Sequence, residues 1–241
     1  VVDIELKDFP EEKTGNVSIS AGYNPNYHFK NDYLSYEGGS TDFLGFDDGT
    51  RDAPATSNIP QFAEVFMNPE SEQGLRYSEI LRSFNPNMSA IQEKSLMNYG
   101  LGVSFGNQKV REKFTIGYNF AISYKNETEF YDNAQYGKYS QLGDKSVTEL
   151  NADNLSNGPL GKNNVFLSGL AGFAVKTTNS KYRINLIHLQ NGESSAGIFD
   201  FVSDDRGTTF EAFQHVLEYT QRSLTNLFIE GKHKKLESNW E

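Results

Sequence analysis

Three stretches of the chain alternate strictly between apolar residues and small polar ones, a period of two that belongs to an extended strand. In 16–29 one set is Val17, Ile19, Ala21, Tyr23, Pro25, Tyr27 and Phe29, set against Asn, Ser, Gly and His28. In 99–106, Tyr99, Leu101, Val103 and Phe105 interleave with Gly100, Gly102, Ser104 and Gly106. In 114–125, Phe114, Ile116, Tyr118, Phe120, Ile122 and Tyr124 interleave with Thr115, Gly117, Asn119, Ala121 and Ser123. Weaker alternation over 164–176, 181–190 and 214–235 adds three more strands. The pattern predicts an all-β chain of six antiparallel strands.

The connections alternate as well. Short polar pieces, "NQKVREK" (107–113) and "TTNS" (177–180), join the second strand to the third and the fourth to the fifth. Between the other strands lie long segments, 30–96, 125–163 and 191–213. Loops of that length are uncommon inside compact domains unless they serve a function. In an up-and-down meander, alternate connections fall at opposite ends of the sheet. All the long ones would then share one end, as the external loops of outer-membrane barrels do.

Alternation alone does not separate a membrane barrel from a soluble or surface-anchored β-sandwich that binds glycan or protein, because each has one apolar face. The polar face argues for the barrel. Sheets that face water usually carry Lys, Glu, Asp and Thr, whereas the three clean strands carry Ser, Gly, Asn, Ala and Thr. Small uncharged residues suit a face that more protein approaches closely. Aromatic residues near strand ends (Tyr27, Phe29, Phe105, Phe114, Tyr124) suit a lipid interface. The mean hydropathy of −0.60 is no objection, since alternating strands average low. A net charge of −10 argues against nucleic acid, whose phosphates need clustered cations. Without a cysteine there is neither a disulfide nor a thiolate metal site.

"VVDIELKDF" opens inside an alternating strand (Val2, Ile4, Leu6) and "HKKLESNWE" stops just after a turn, so both ends read as cuts through a longer protein. The most unusual segment is "STDFLGFDDGTRDAP" (40–54), which sets Phe43, Leu44 and Phe46 among acids in the first long connection. It resembles a sequence typical of TonB-dependent outer-membrane receptors, in the branch with a carboxypeptidase-regulatory-like domain ahead of the plug. Other pieces resemble the same family in order: "VVDIELKDFPEE" the plug-to-barrel junction, without its usual preceding glycines, and "NVSISAGYN" the first barrel strand. "LSGLAGFAVKTTNSKYRINLIHLQNGES" and "LEYTQRSLTNLFIEGKHK" resemble later strands. The resemblance implies an up-and-down transmembrane barrel of about twenty-two strands around a plug. Residues 1–12 would leave the plug, and 13–241 would supply roughly the first six strands. It further implies residence in the outer membrane of a Gram-negative bacterium and uptake of a nutrient ligand. The partners it implies are membrane lipid, a TonB-type energy-coupling protein acting through a plug outside this chain, and in some cases a surface lipoprotein. The receptor-like barrel as a component of a larger outer-membrane complex is a further reading.

Candidate sites are few. Asp42, Phe43, Leu44, Gly45, Phe46, Asp47, Asp48, Gly49 and Arg51 form a structural loop motif. Their spacing is not that of an EF-hand calcium loop. An Asx-type turn is expected instead, with Arg51 held by a neighbouring acid and Phe43 or Phe46 buried against the barrel rim. His28, His188, His215 and His233 share no metal-ligand spacing, and His28 reads as a lone exposed residue near the outer rim. No nucleophile and base are paired: the expectation is neither an enzyme nor a cofactor protein. Acids gather in the long connections (Glu127, Glu129, Asp132, Asp144, Glu149, Asp153; Asp200, Asp204, Asp205), beside Tyr131, Tyr136 and Tyr139. Such a face would disfavour anionic ligands.

Overall fold

A computed structural model describes residues 9–141, 146, 148–204 and 208–234. Its main body is one antiparallel sheet of six strands: β1 (Thr14–Gly22), β4 (Asn98–Val110), β5 (Phe114–Gln141), β6 (Leu150–Thr177), β7 (Ser180–Ser203) and β8 (Phe210–His233). Between β1 and β4 lie a small ribbon of β2 (Tyr33–Ser35) and β3 (Ile91–Glu93) and two helices, α1 (Phe62–Met67) and α2 (Glu72–Arg82). The all-β class and the meander order follow the expectation. The sheet is open, with β1 and β8 as its edges.

Two expected loops are largely strand. Pairing of β5 with β6 continues from Glu127↔Asn164 to Gln141↔Leu150, with irregularities after Tyr131 and Lys138. Pairing of β7 with β8 continues to Ser203↔Phe210. The expected loops 125–163 and 191–213 are therefore strand as far as Gln141 and Ser203, and again from Leu150 and Phe210. Backbone ladders need no apolar alternation, and once a hairpin has started, its polar continuation can pair in water. β5 and β6 have 28 residues each, more than twice the roughly 9–11 that cross a bilayer. The first strand is shorter than its alternation implied. It stops at Gly22, because Asn24-Pro25-Asn26 opens a turn in which the His28 N–H donates to the Asn24 carbonyl (3.0 Å). The first eight residues of the expected plug exit, together with Asp144 and Asp205, lie outside the described residues.

Register gives the sheet two unlike faces. On the first, Val17, Val103 and Ile122 stand opposite one another, as do Phe105 and Phe120, Phe173 and Ile184, and Leu186 and Leu227. These apolar side chains are open to solvent, Val17 at 70% and Leu227 at 61% exposure. On the second, Gly102, Ser123 and Ser168 align, with the two serine hydroxyls 2.7 Å apart. Phe9 and Pro10 cross this second face. A Cβ on Gly117 would lie 2.6 Å from Phe9 Cγ, and one on Gly106 would lie 2.8 Å from Pro10 Cγ. Small residues here let another stretch of backbone lie flat on the sheet.

The apolar rows end where the β1–β4 connection begins to cover the same face. Its ribbon packs Leu34 (1% exposed) and Ala90 against Ala196, flanked by Tyr36, Phe130, Ile198 and Leu217. This is the principal buried cluster, and it sits on the upper halves of β5–β8. The helices were not anticipated: Ser71 caps α2 by accepting from the Gly74 N–H (3.1 Å), a Ser start followed by Glu72 in the first turn. Among the described residues no helix is long and apolar enough to cross a membrane.

Candidate functional site

The motif at 42–51 is ordered by its own chemistry. Asp42–Leu44 forms one 3₁₀ turn that Gly45 closes at φ 80°, donating its N–H to the Asp42 carbonyl (2.9 Å). Only glycine takes that backbone conformation readily. The Asp48 carboxylate gathers four donors: the Thr50 N–H (3.1 Å) and hydroxyl (2.5 Å), and the Ser40 N–H (2.7 Å) and hydroxyl (2.9 Å). These bonds, the Thr50 pair foremost, hold its carboxyl well below the usual carboxylate range. The expected Asx-type turn is this one.

Arg51 is the hub. Its Nη1 donates to Asp42 Oδ1 (3.0 Å) and Asp47 Oδ1 (3.1 Å), its Nη2 donates to Asp42 Oδ2, and its Nε donates to the Tyr36 hydroxyl (3.2 Å). The guanidinium lies 4.2 Å from the Tyr219 ring centroid and 5.4 Å from that of Tyr36. One planar cation thus ties the loop's two ends to each other and to β8, which a lysine's point charge cannot do. Arg51→Ala is expected to cost about 2 kcal/mol of local stability, discounted from a fully buried pair because both partners are partly exposed. Limited proteolysis within 38–52 checks it: the alanine variant should be cut faster, with Arg51→Lys in between. Equal cutting of wild type and alanine would refute the hub.

The loop seats on the sheet through backbone. Gly45 rests on Gly192: a Cβ on Gly192 would lie 2.6 Å from Gly45 Cα, and one on Gly45 would lie 3.0 Å from the Gly192 nitrogen. Gln190, 1% exposed, donates through Nε2 to the Gly45 carbonyl. The Asp47 N–H donates to Gln221 Oε1 (2.7 Å), and the Tyr124 hydroxyl donates to the Phe43 carbonyl (2.7 Å). The expectation for the rings is corrected here. Phe43 is 60% exposed, and Leu44 and Phe46 are only partly covered. Backbone-on-backbone contact at two glycines leaves no pit for a side chain to enter.

His28 is also corrected, from exposed to 2% exposed. Its Nδ1 accepts from the Asn24 N–H (2.8 Å), so Nε2 carries the proton and donates to Thr128 Oγ1 (3.0 Å). Tyr27 adds its hydroxyl to the Thr128 carbonyl (3.0 Å), which rivets the foot of the connection to β5. The other histidines stay apart: His215 accepts from the Ala90 N–H, His188 pairs with Thr225, and His233 with Ser180. Among the described residues no three acidic or histidine side chains converge as metal ligands. Tyr131, Tyr136 and Tyr139 lie on the extended β5, not in a loop, with Tyr131 donating to Glu129 (2.9 Å) and Tyr136 edge-on to Phe199.

Beside Arg51 a cleft of about 310 Å³ opens between Tyr36, Phe84, Met88, Leu217 and Tyr219. Gln190, Gly192 and Gly161, the seats for the connection, carried no signal in the sequence, since each is an ordinary strand residue until a second backbone lies on it. The chain matches no protein-family model, no curated protein and no solved structure.

Proposed function

We propose that the chain forms the opening strands of a TonB-dependent outer-membrane transporter, with lipid against the apolar face and a plug against the small-residue face. The observation that carries this reading is the apolar belt itself. From Phe114 to Ile122 on β5, with Ile116 half-buried, and across to Val17, Phe173, Leu186 and Leu227, large aliphatic and aromatic side chains lie uncovered on one face of the sheet. A soluble monomer rarely leaves more than a few hundred Å² of contiguous apolar surface in water. The belt's height matches the roughly 9–11 residues that a tilted strand needs to cross a bilayer. Above it the same face turns to the Arg51 motif and its ribbon, which would stand outside the membrane. Phe9 and Pro10, arriving on the opposite face, come from the side where a plug would be. The open edges of β1 and β8 would pair with the rest of the barrel.

In this reading the chain performs no chemistry. It is part of a gated path for a nutrient ligand, driven by a TonB-type protein acting through the plug. A surface lipoprotein would meet it at the end holding the β1–β4 connection. Cysteine labelling of the natural full-length protein in outer membranes tests the reading. Cysteine at Ile122 should react with a bilayer-confined maleimide and resist a water-soluble one, while cysteine at Ala121 should not react with the bilayer-confined probe. Reaction of both positions with the water-soluble reagent alone would sink it in favour of a β-sandwich that binds its ligand in solution.

A further inference from the structure

Phe43 keeps 60% of its surface exposed although the backbone around it is held. Its carbonyl accepts from the Tyr124 hydroxyl (2.7 Å), Asp42 before it is bound by Arg51, and Gly45 two residues on rests against Gly192. A loose loop could fold such a ring inward. This one holds it out.

Register places the ring at the upper edge of the apolar belt. Along the first three strands of the sheet that edge carries aromatic side chains: Tyr23 just past β1, Tyr99 on β4 and Tyr124 on β5, the last two with ring centroids 5.9 Å apart. On β6 the series breaks, because the residues opposite Tyr124 and Asn126 are Leu167 and Val165. Here the 3₁₀ turn Asp42–Leu44 packs on β6 and β7, and Val165, opposite Gly192, is 1% exposed. Two residues beyond Leu167, toward the belt, a Cβ on Gly169 would meet nothing within 4 Å, so the cover ends at this level. Phe43 stands at the boundary between covered and open sheet, next to the strand that lacks a ring of its own.

The acids of the loop do not bar the ring from apolar surroundings. Asp42 and Asp47 are both held by Arg51, and Asp48 takes its donors from Thr50 and Ser40. Aromatic rings gather at the two interfaces of membrane barrels, and a side chain presented by an ordered loop loses little freedom on insertion.

We propose that the Arg51 motif is a membrane contact: it holds Phe43 at headgroup level, just outside the hydrocarbon, and completes from a loop the aromatic rim that β6 does not supply. The occupant is lipid, by continuity with the belt, so the inference rests on the transporter reading.

The test is fluorescence quenching of the natural full-length protein in phosphatidylcholine vesicles. Single cysteines carry bimane, and a fraction of the lipid carries a nitroxide either at the headgroup or at mid-chain. The label at Phe43→Cys should lose fluorescence to the headgroup nitroxide and keep it with the mid-chain one. At Ile122→Cys the mid-chain nitroxide should quench, and at Phe213→Cys, an exposed ring far along β8 on the same face, neither should. Phe43→Ser should raise the unfolding equilibrium constant in vesicles about tenfold, the low end of what burying a phenylalanine returns, while Phe43→Trp restores it. Quenching at Ile122 with none at Phe43, or equal stability of Phe43→Ser and wild type, would overturn the contact and leave the transporter standing. No lipid quenching at either position would remove the transporter reading and the contact together. Protection of Phe43 from aqueous iodide without lipid quenching would put a protein over the ring, and that also overturns the proposal.

Discussion

Gly161→Val is expected to detach the β2–β3 ribbon from the sheet while leaving the six long strands paired. A Cβ on Gly161 would lie 2.1 Å from the Leu34 carbonyl oxygen, 3.0 Å from its carbon and 3.1 Å from its nitrogen. No flexible side chain is available to yield there; the obstacle is the backbone of β2. Leu34 is 1% exposed and central to the buried cluster with Ala90 and Ala196, so moving it opens that cluster. Overpacking of this kind costs about 3 kcal/mol. Hydrogen exchange of the full-length protein reads it directly: amides of 33–36 and 90–93 should exchange about a hundredfold faster, the factor that 3 kcal/mol gives. Gly169→Ala is the control, since a Cβ there meets nothing within 4 Å. Unchanged protection in the valine variant, or equal loss in Gly169→Ala, would show the ribbon is not held where the geometry puts it.

Ile122→Arg carries the second large effect, and its sign separates the two environments open to the sheet. Ile122 is 45% exposed and sits between Val103 and Gly169 in the middle of the apolar belt. In a bilayer an arginine at that depth costs about 2–4 kcal/mol. In water the same change replaces an exposed isoleucine with a charge, and surface substitutions of that kind stay within about 0.5 kcal/mol. Folding of the full-length protein into phosphatidylcholine vesicles, followed by denaturant titration, measures the difference. A loss in the bilayer range supports the transporter. A neutral or stabilising result removes lipid from the apolar face and with it the barrel.

The Arg51 motif shows which parts of a site a sequence reveals. Its turn chemistry was legible because Asp48, Gly49 and Thr50 act on neighbours a few residues away, where side-chain-to-backbone bonds depend on local spacing. Arg51's acid partners were legible for the same reason. What the loop rests on was not: Phe43 and Phe46 looked like anchors because apolar rings favour burial, but the seat is Gly45 on Gly192. His28 misled in the same way. Its partner Thr128 lies a hundred residues on, and nothing around His28 points to it.

By itself the sequence determined the all-β class, the six-strand meander and the face occupied by those clean-strand residues that lie within β1, β4 and β5. Those depend on the two-residue pleat and on turn residues, which are properties of neighbours in the chain. The tertiary structure alone decided how far the strands run, since polar hairpins pair through backbone bonds that leave no apolar period. It alone decided which half of the apolar face stays open and which is covered by the β1–β4 connection, because Leu34 finds Gly161, and Gly45 finds Gly192, only when distant backbones meet.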